Sequence, residues 1–188
     1  PTNLIHDYGN ASEEVAACRN STGLFDFSFI SSVRISGKNS LDVIAQITDR
    51  NLLGMQSNKI RYALSYDAKG YLRSDLTIWK INADTFLVMS GLQQDIKDLI
   101  TCSQNNKDCH VEDLSEQFVI YAVQGPDSLK ALNVLVDDER LSSLPYFGFA
   151  EFHINRSPCF IGRLGYTGER GFEIILPTDN HSQVWECL

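Results

Sequence analysis

The sequence predicts an α+β fold of largely antiparallel sheets with flanking helices, arranged as two related halves. Three observations carry this expectation. A β-hairpin is closed by "DAKG"; a group of two or three strands followed by a helix occurs twice along the chain; and 188 residues with 43% apolar content can bury a real core. The halves are expected near 1–110 and 111–188, with strand exchange between them left open.

The elements follow in order. "ASEEVAACRNSTG" reads as a helix with Ser12 as N-cap, Glu13 and Glu14 favoured by the dipole in its first turn, and Gly23 as its stop. "SVRISG" is a short strand, and "KNSLDVIAQIT" a helix presenting Leu41, Ile44, Ala45 and Thr48 on one face. The strands "IRYALSY" and "YLRSDLTIWKI" flank "DAKG", whose Asp and Gly are typical turn formers. "DTFLVMSG" is a further strand, "LQQDIKDLITCS" a helix and "QNNKD" a polar loop. "EQFVIYAVQG" reads as a buried strand and "PDSLKALNVLV" as a helix with Pro126 at its first position. After an irregular stretch around "DDERLSSLPYFG" come strands "FAEFHI" and "CFIGRL", a glycine-rich loop, "FEIILP", and a helix "DNHSQVWECL". That helix shows no C-cap before Leu188, so the chain reads as part of a larger functional unit.

Composition narrows the function. A formal charge of -8 with scattered Lys and Arg argues against nucleic-acid binding through phosphate neutralisation. The five cysteines (Cys18, Cys102, Cys109, Cys159, Cys187) form no CxxC pair and read as free thiols of a reducing compartment. The four histidines lack any metal-ligand spacing, so no metal site is expected. No run approaches a membrane span, and "PTNLIHDYGN" lacks the charged and apolar regions of a signal peptide. The expectation is a cytoplasmic protein with a small-molecule or protein partner and no nucleic acid or membrane.

The hairpin makes a geometric prediction. A two-residue or a four-residue loop at "DAKG" places Tyr62 directly opposite Asp75. Alternation then sets Tyr71, Arg73, Asp75, Thr77 and Trp79 on one face, with Leu72, Leu76 and Ile78 on the other. The Asp75 face should open to a cavity or to solvent. In a cavity, an aspartate among aromatic rings is a candidate proton acceptor; on a solvated face, Arg73 would simply pair with Asp75.

"GRLGYTGERGFEI" has neither the Gly-Lys-Ser/Thr of a P-loop nor the spacing of a dinucleotide fold. Its glycines mark turns or a cradle. Tyr166 can stack on a flat ring, and Glu173 can accept paired hydrogen bonds from a ring edge, a combination that suits a guanine or a pterin.

"GLFDFSFISSVRISG", "RYALSYDAKGYLRSDLTIW", "YAVQGPDS" and "GRLGYTGERGFEI" occur in that order. Together they resemble the tetrahydrofolate-binding region of the glycine cleavage T-protein (aminomethyltransferase) family, also found in the folate halves of sarcosine and dimethylglycine dehydrogenases. The resemblance implies a tetrahydrofolate-binding domain over 1–188 with the folate in a central cavity, and one-carbon transfer to it from an aminomethyl or N-methyl donor. It also implies a lipoyl carrier protein or a flavin-dependent partner. By the same resemblance Asp75 matches the catalytic aspartate, which positions the folate and relays a proton. Tyr62 and Trp79 match positions lining the folate cavity, Tyr166 and Glu173 the pterin contacts, and Gly165 and Gly168 would let the loop wrap the ring. Ser74 stands where T-proteins usually carry the first acid of an Asp-Asp pair, a form more similar to the oxidative demethylases. The family's carboxy-terminal barrel would lie beyond Leu188.

Overall fold

A computed structural model of the chain describes residues 8–187, so Leu188, the last residue of the expected final helix, lies outside it. The strands are, in chain order, β1 (Gly23–Asp26), β2 (Ser31–Ser36), β3 (Lys59–Tyr66), β4 (Leu72–Lys80) and β5 (Thr85–Ser90), then β6 (His110–Asp113), β7 (Phe118–Gln124), β8 (Phe149–Ile154), β9 (Ser157–Gly162) and β10 (Gly171–Pro177). They form two five-stranded antiparallel sheets, ordered β3-β4-β5-β2-β6 and β1-β7-β10-β9-β8. The helices are α1 (Ala11–Asn20), α2 (Ser40–Ile44), α3 (Gln93–Gln104), α4 (Ser128–Leu132), α5 (Arg140–Ser143) and α6 (His181–Cys187). The α+β class expected from the sequence holds.

Period-two alternation explains the layering. On β4 and β5, Leu76, Ile78, Phe86 and Val88 pack outward against α2 and α3 with Ile44, Ile96 and Leu99. Their neighbours Trp79, Leu87 and Met89 point the other way, into a core shared with Ile120, Phe149 and Ile175 of the second sheet. The outer face of that second sheet carries Tyr121, Val123, Phe172, Ile174 and Leu176 against the helical layer of Leu132, Leu141 and Val184. Both sheets are therefore covered on both faces. This is why "FEIILP" is a continuous buried run rather than an alternating one.

One strand is exchanged. β1 precedes every strand of the first sheet yet pairs with β7 in the second, with Gly23 opposite Gln124. β6, where the sequence reading placed no element, closes the far edge of the first sheet beside β2. Apart from β1, the chain passes from one sheet to the other between Asp113 and Phe118.

Several local expectations are corrected. The N-cap of α1 is Asn10, not Ser12: its Oδ1 accepts from the amides of Ser12 and Glu13, while its Nδ2 donates to the Glu13 carboxylate at 2.8 Å, closing a reciprocal cap. The helix ends at Asn20, and Gly23 opens β1 instead of stopping α1. α2 is barely more than one turn and buries Ser40, Val43 and Ile44, because the chain leaves it to bridge Thr48 to Ser65. Pro126 lies before the cap Asp127 rather than at the first position of α4.

Candidate functional site

The hairpin sets the first wall. β3 and β4 are joined by a five-residue loop, Asp67 to Tyr71, in which the Asp67 carboxylate accepts from the amides of Lys69 and Tyr71. A β-bulge follows, with Tyr66 opposite Leu72 but Ser65 opposite Ser74. The expected register is therefore two residues out: Leu64 stands opposite Asp75, and Tyr62 opposite Thr77. A slip of two preserves the face, so Tyr62 and Asp75 remain diagonal neighbours on one side.

The bulge also re-aims Arg73. Its guanidinium donates to Asp95 at 2.9 Å and to Asp98 at 2.8 Å, both on α3, so the expected Arg73–Asp75 pair does not form. Asp95 is fully buried and also accepts from the hydroxyls of Ser65, Ser74 and Ser90. Ser74 thus faces the helix layer while Asp75 faces inward.

At one end of the inter-sheet layer is a cavity of about 260 Å³. Asp75 and Thr77 of β4, Met89 and Ser90 of β5 and Glu173 of β10 line it, and Phe27, Phe29 and Tyr166 add aromatic walls. Tyr166 meets Phe27 edge-on at 5.9 Å, and Phe27 meets Phe29 at 5.8 Å. The lining holds two carboxyl groups and no Lys or Arg. Among the described residues there is no cluster of His, Cys, Asp or Glu that could hold a metal ion.

Glu173 is the unusual group. It is 2% exposed, its Oε1 has no hydrogen-bond partner, and burial pushes its carboxyl up to about 7. The Tyr166 hydroxyl is raised well above its ordinary value, first by burial and then by the charges of Glu173 and Asp75 and by Tyr62, although half of the side chain is open. Partial burial also raises the Tyr62 hydroxyl, as do the charge of Asp75 and a hydrogen bond to it. The Tyr166 hydroxyl thus lies within reach of both site carboxyl groups. An orphaned acceptor beneath an aromatic wall fits a flat ligand edged with N–H donors.

Tyr62 does not line this cavity but borders a neighbouring pocket with Thr48 and Arg50, and three further expected contacts are also placed elsewhere. Trp79 shares the face of Asp75 but is completely buried: it packs on Phe149 at 5.0 Å and lies over Gly162, where an added Cβ would come within 2.3 Å of its ring. It seals the core rather than lining the cavity. Gly165 closes onto a protein side chain, since a Cβ there would lie 1.9 Å from Gln124 Oε1. Gly168 takes φ +81° in a turn, where an added Cβ would meet the Arg19 guanidinium at 3.8 Å, an ordinary contact.

Gly162, Gly165 and Gly171 therefore answer to Trp79 and Gln124. Gln124 was missed in sequence, and so were Phe27, Phe29 and Asp95. The alternating "FDFSF" and a polar residue ending the apolar run "FVIYAVQ" were the available signals.

A model of the GCVT N-terminal domain family matches residues 6–188. The chain belongs to this family. An aminomethyltransferase of Corynebacterium aurimucosum is 30% identical over 100% of this chain and 52% of its own length, and one of Thermotoga sp. is 29% identical over 96% of this chain and 50% of its own. The chain spans about half the length of these curated relatives. In fold it is similar to glycine cleavage system aminomethyltransferase T of Bartonella henselae, with a TM-score of 0.77, 24% identity and coverage of 93% of this chain and 47% of that one. Heterotetrameric sarcosine oxidase of Corynebacterium sp. U-96 aligns with a TM-score of 0.68 and 14% identity, over 94% of this chain and 88% of that one. In this GCVT N-terminal domain no described helix is long and apolar enough to cross a membrane, and all five cysteines are free.

Proposed function

We propose that this domain is the folate-binding portion of a tetrahydrofolate-dependent one-carbon transferase of aminomethyltransferase or demethylase type, acting in the cytoplasm. The observation that carries the reading is the unpartnered, buried Glu173 Oε1 in a cavity that also presents Asp75 and the Tyr166 ring. When bound, tetrahydrofolate would supply the ring nitrogen that accepts the one-carbon unit. Glu173 would accept from the N–H donors along the pterin edge, and Tyr166 and Phe27 would stack against or flank the ring. Asp75, on the opposite sheet, would hold the ligand from that side and take up or pass on the proton that transfer releases. Met89 and Ile120, one from each sheet, add apolar lining to the site. The donor would be an aminomethyl or N-methyl amine, brought by a lipoyl carrier protein or a flavin-dependent partner, and other parts of the protein would complete the site.

A calorimetric titration with 5-formyltetrahydrofolate, run beside Glu173→Ala and Asp75→Asn, tests the reading. Binding that Glu173→Ala abolishes and Asp75→Asn largely keeps is the expected result. Equal affinity in wild type and Glu173→Ala would remove Glu173 from the site and the reading with it.

A further inference from the structure

We propose that Gln124 is a positioning residue of this site: its amide holds the glycine loop so that Tyr166 stands over the cavity containing Glu173. Gln124 ends β7 and is completely buried. Its Nε2 donates to the carbonyls of Leu164, at 3.2 Å, and Phe172, at 3.3 Å, while its Oε1 accepts from the Thr167 hydroxyl at 3.1 Å. Leu164 and Thr167 bracket Tyr166 in the chain, and Phe172 immediately precedes Glu173. One amide therefore ties the chain on both sides of Tyr166 to the strand bearing Glu173.

The glycines around it are the complement of this arrangement. Gly23 and Gly171 are its register partners on the two neighbouring strands. A Cβ at Gly165 or Gly171 would lie 1.9 or 2.2 Å from Gln124 Oε1. Neither glycine has a backbone angle that demands glycine, so the amide itself is what excludes a side chain. A buried amide also loses far more from a misplaced loop than a surface one would, because its donors then go unpaired.

The proposal rests on the folate reading only for the choice of probe. Gln124→Met, of similar length but without the amide, is expected to stay folded, to weaken 5-formyltetrahydrofolate binding by about ten-fold, and to lose the nuclear Overhauser contact between the Phe27 and Tyr166 rings in the ligand-free protein. Gly165→Ala should do the same. In a Gln124→Ala background, Gly165→Ala should cause no further loss of thermal stability. An intact ring contact in Gln124→Met, or additive losses from Gly165→Ala and Gln124→Ala, would overturn the proposal. If the wild-type protein does not bind the probe, the folate reading falls, while the ring contact and the stability cycle still decide the role of Gln124.

Discussion

Arg73 is drawn to Asp95 at 2.9 Å across the helix side of β4, while Asp75, two residues along, faces the cavity. The bulge leaves Arg73 as the extra residue and turns it to the side of Ser74. Asp95 then collects a guanidinium and three hydroxyls from three adjacent strands, and the site carboxylate is left without a neighbouring cation.

Breaking that cluster should be costly. Asp95→Ala would leave Arg73 short of a buried partner and three hydroxyls without their acceptor, at a cost of about 3–5 kcal/mol. Urea unfolding measures it. A loss below about 1 kcal/mol would mean that Ser65, Ser74 and Ser90 satisfy one another.

Glu173 should make stability fall as pH rises. Its folded-state carboxyl lies at about 7 against an ordinary 4.5, so the unfolded chain ionises first. Its contribution is present in full below pH 4.5, declines as pH rises to about 7, and stays at its minimum above that, a change of about 3 kcal/mol. The stability difference between wild type and Glu173→Gln, followed from pH 4 to 8, isolates this. A difference independent of pH would show that the carboxyl is not raised.

Ligand binding should carry the opposite dependence. An N–H edge on Glu173 favours the ionised carboxylate, so affinity for 5-formyltetrahydrofolate should rise with pH up to about 7 and then level off, with proton release on binding below that point. Calorimetry in two buffers of different ionisation enthalpy reads the proton directly, and Glu173→Gln should abolish it.

Gly162→Ala should destabilise the domain by about 1–3 kcal/mol through overpacking, since its Cβ would meet the Trp79 ring at 2.3 Å and Ile60 at 2.9 Å. Trp79→Phe in the same chain should recover part of the loss. Thermal unfolding of the two single variants and the double variant checks it, and additive losses would argue against the contact.

At the first helix, Asn10→Ala should cost about 1 kcal/mol and Ser12→Ala almost nothing, because only Asn10 caps α1. Equal effects in denaturant would restore Ser12 as the cap.

Much of this was legible beforehand for reasons internal to each segment. Alternation along β4 depends only on strand geometry, so the face shared by Asp75, Thr77 and Trp79 could be read off, and the ordered motifs pointed to the family. The hairpin register could not be read, because the bulge is stabilised by Arg73 reaching Asp95 and Asp98, twenty-odd residues away. The roles of Trp79 and the glycines were hidden for a similar reason: Gly162 answers to Trp79, and Gly165 and Gly171 answer to Gln124, each across the fold.

The sequence by itself determined most of the strands, which faces are apolar and which side chains could meet a flat, N–H-rich ring. Only the tertiary structure decided which of them share the cavity and which brace it, and that β1 crosses to the second sheet. Those outcomes depend on contacts between distant segments, where a Cβ-sized space or a single buried amide settles the arrangement.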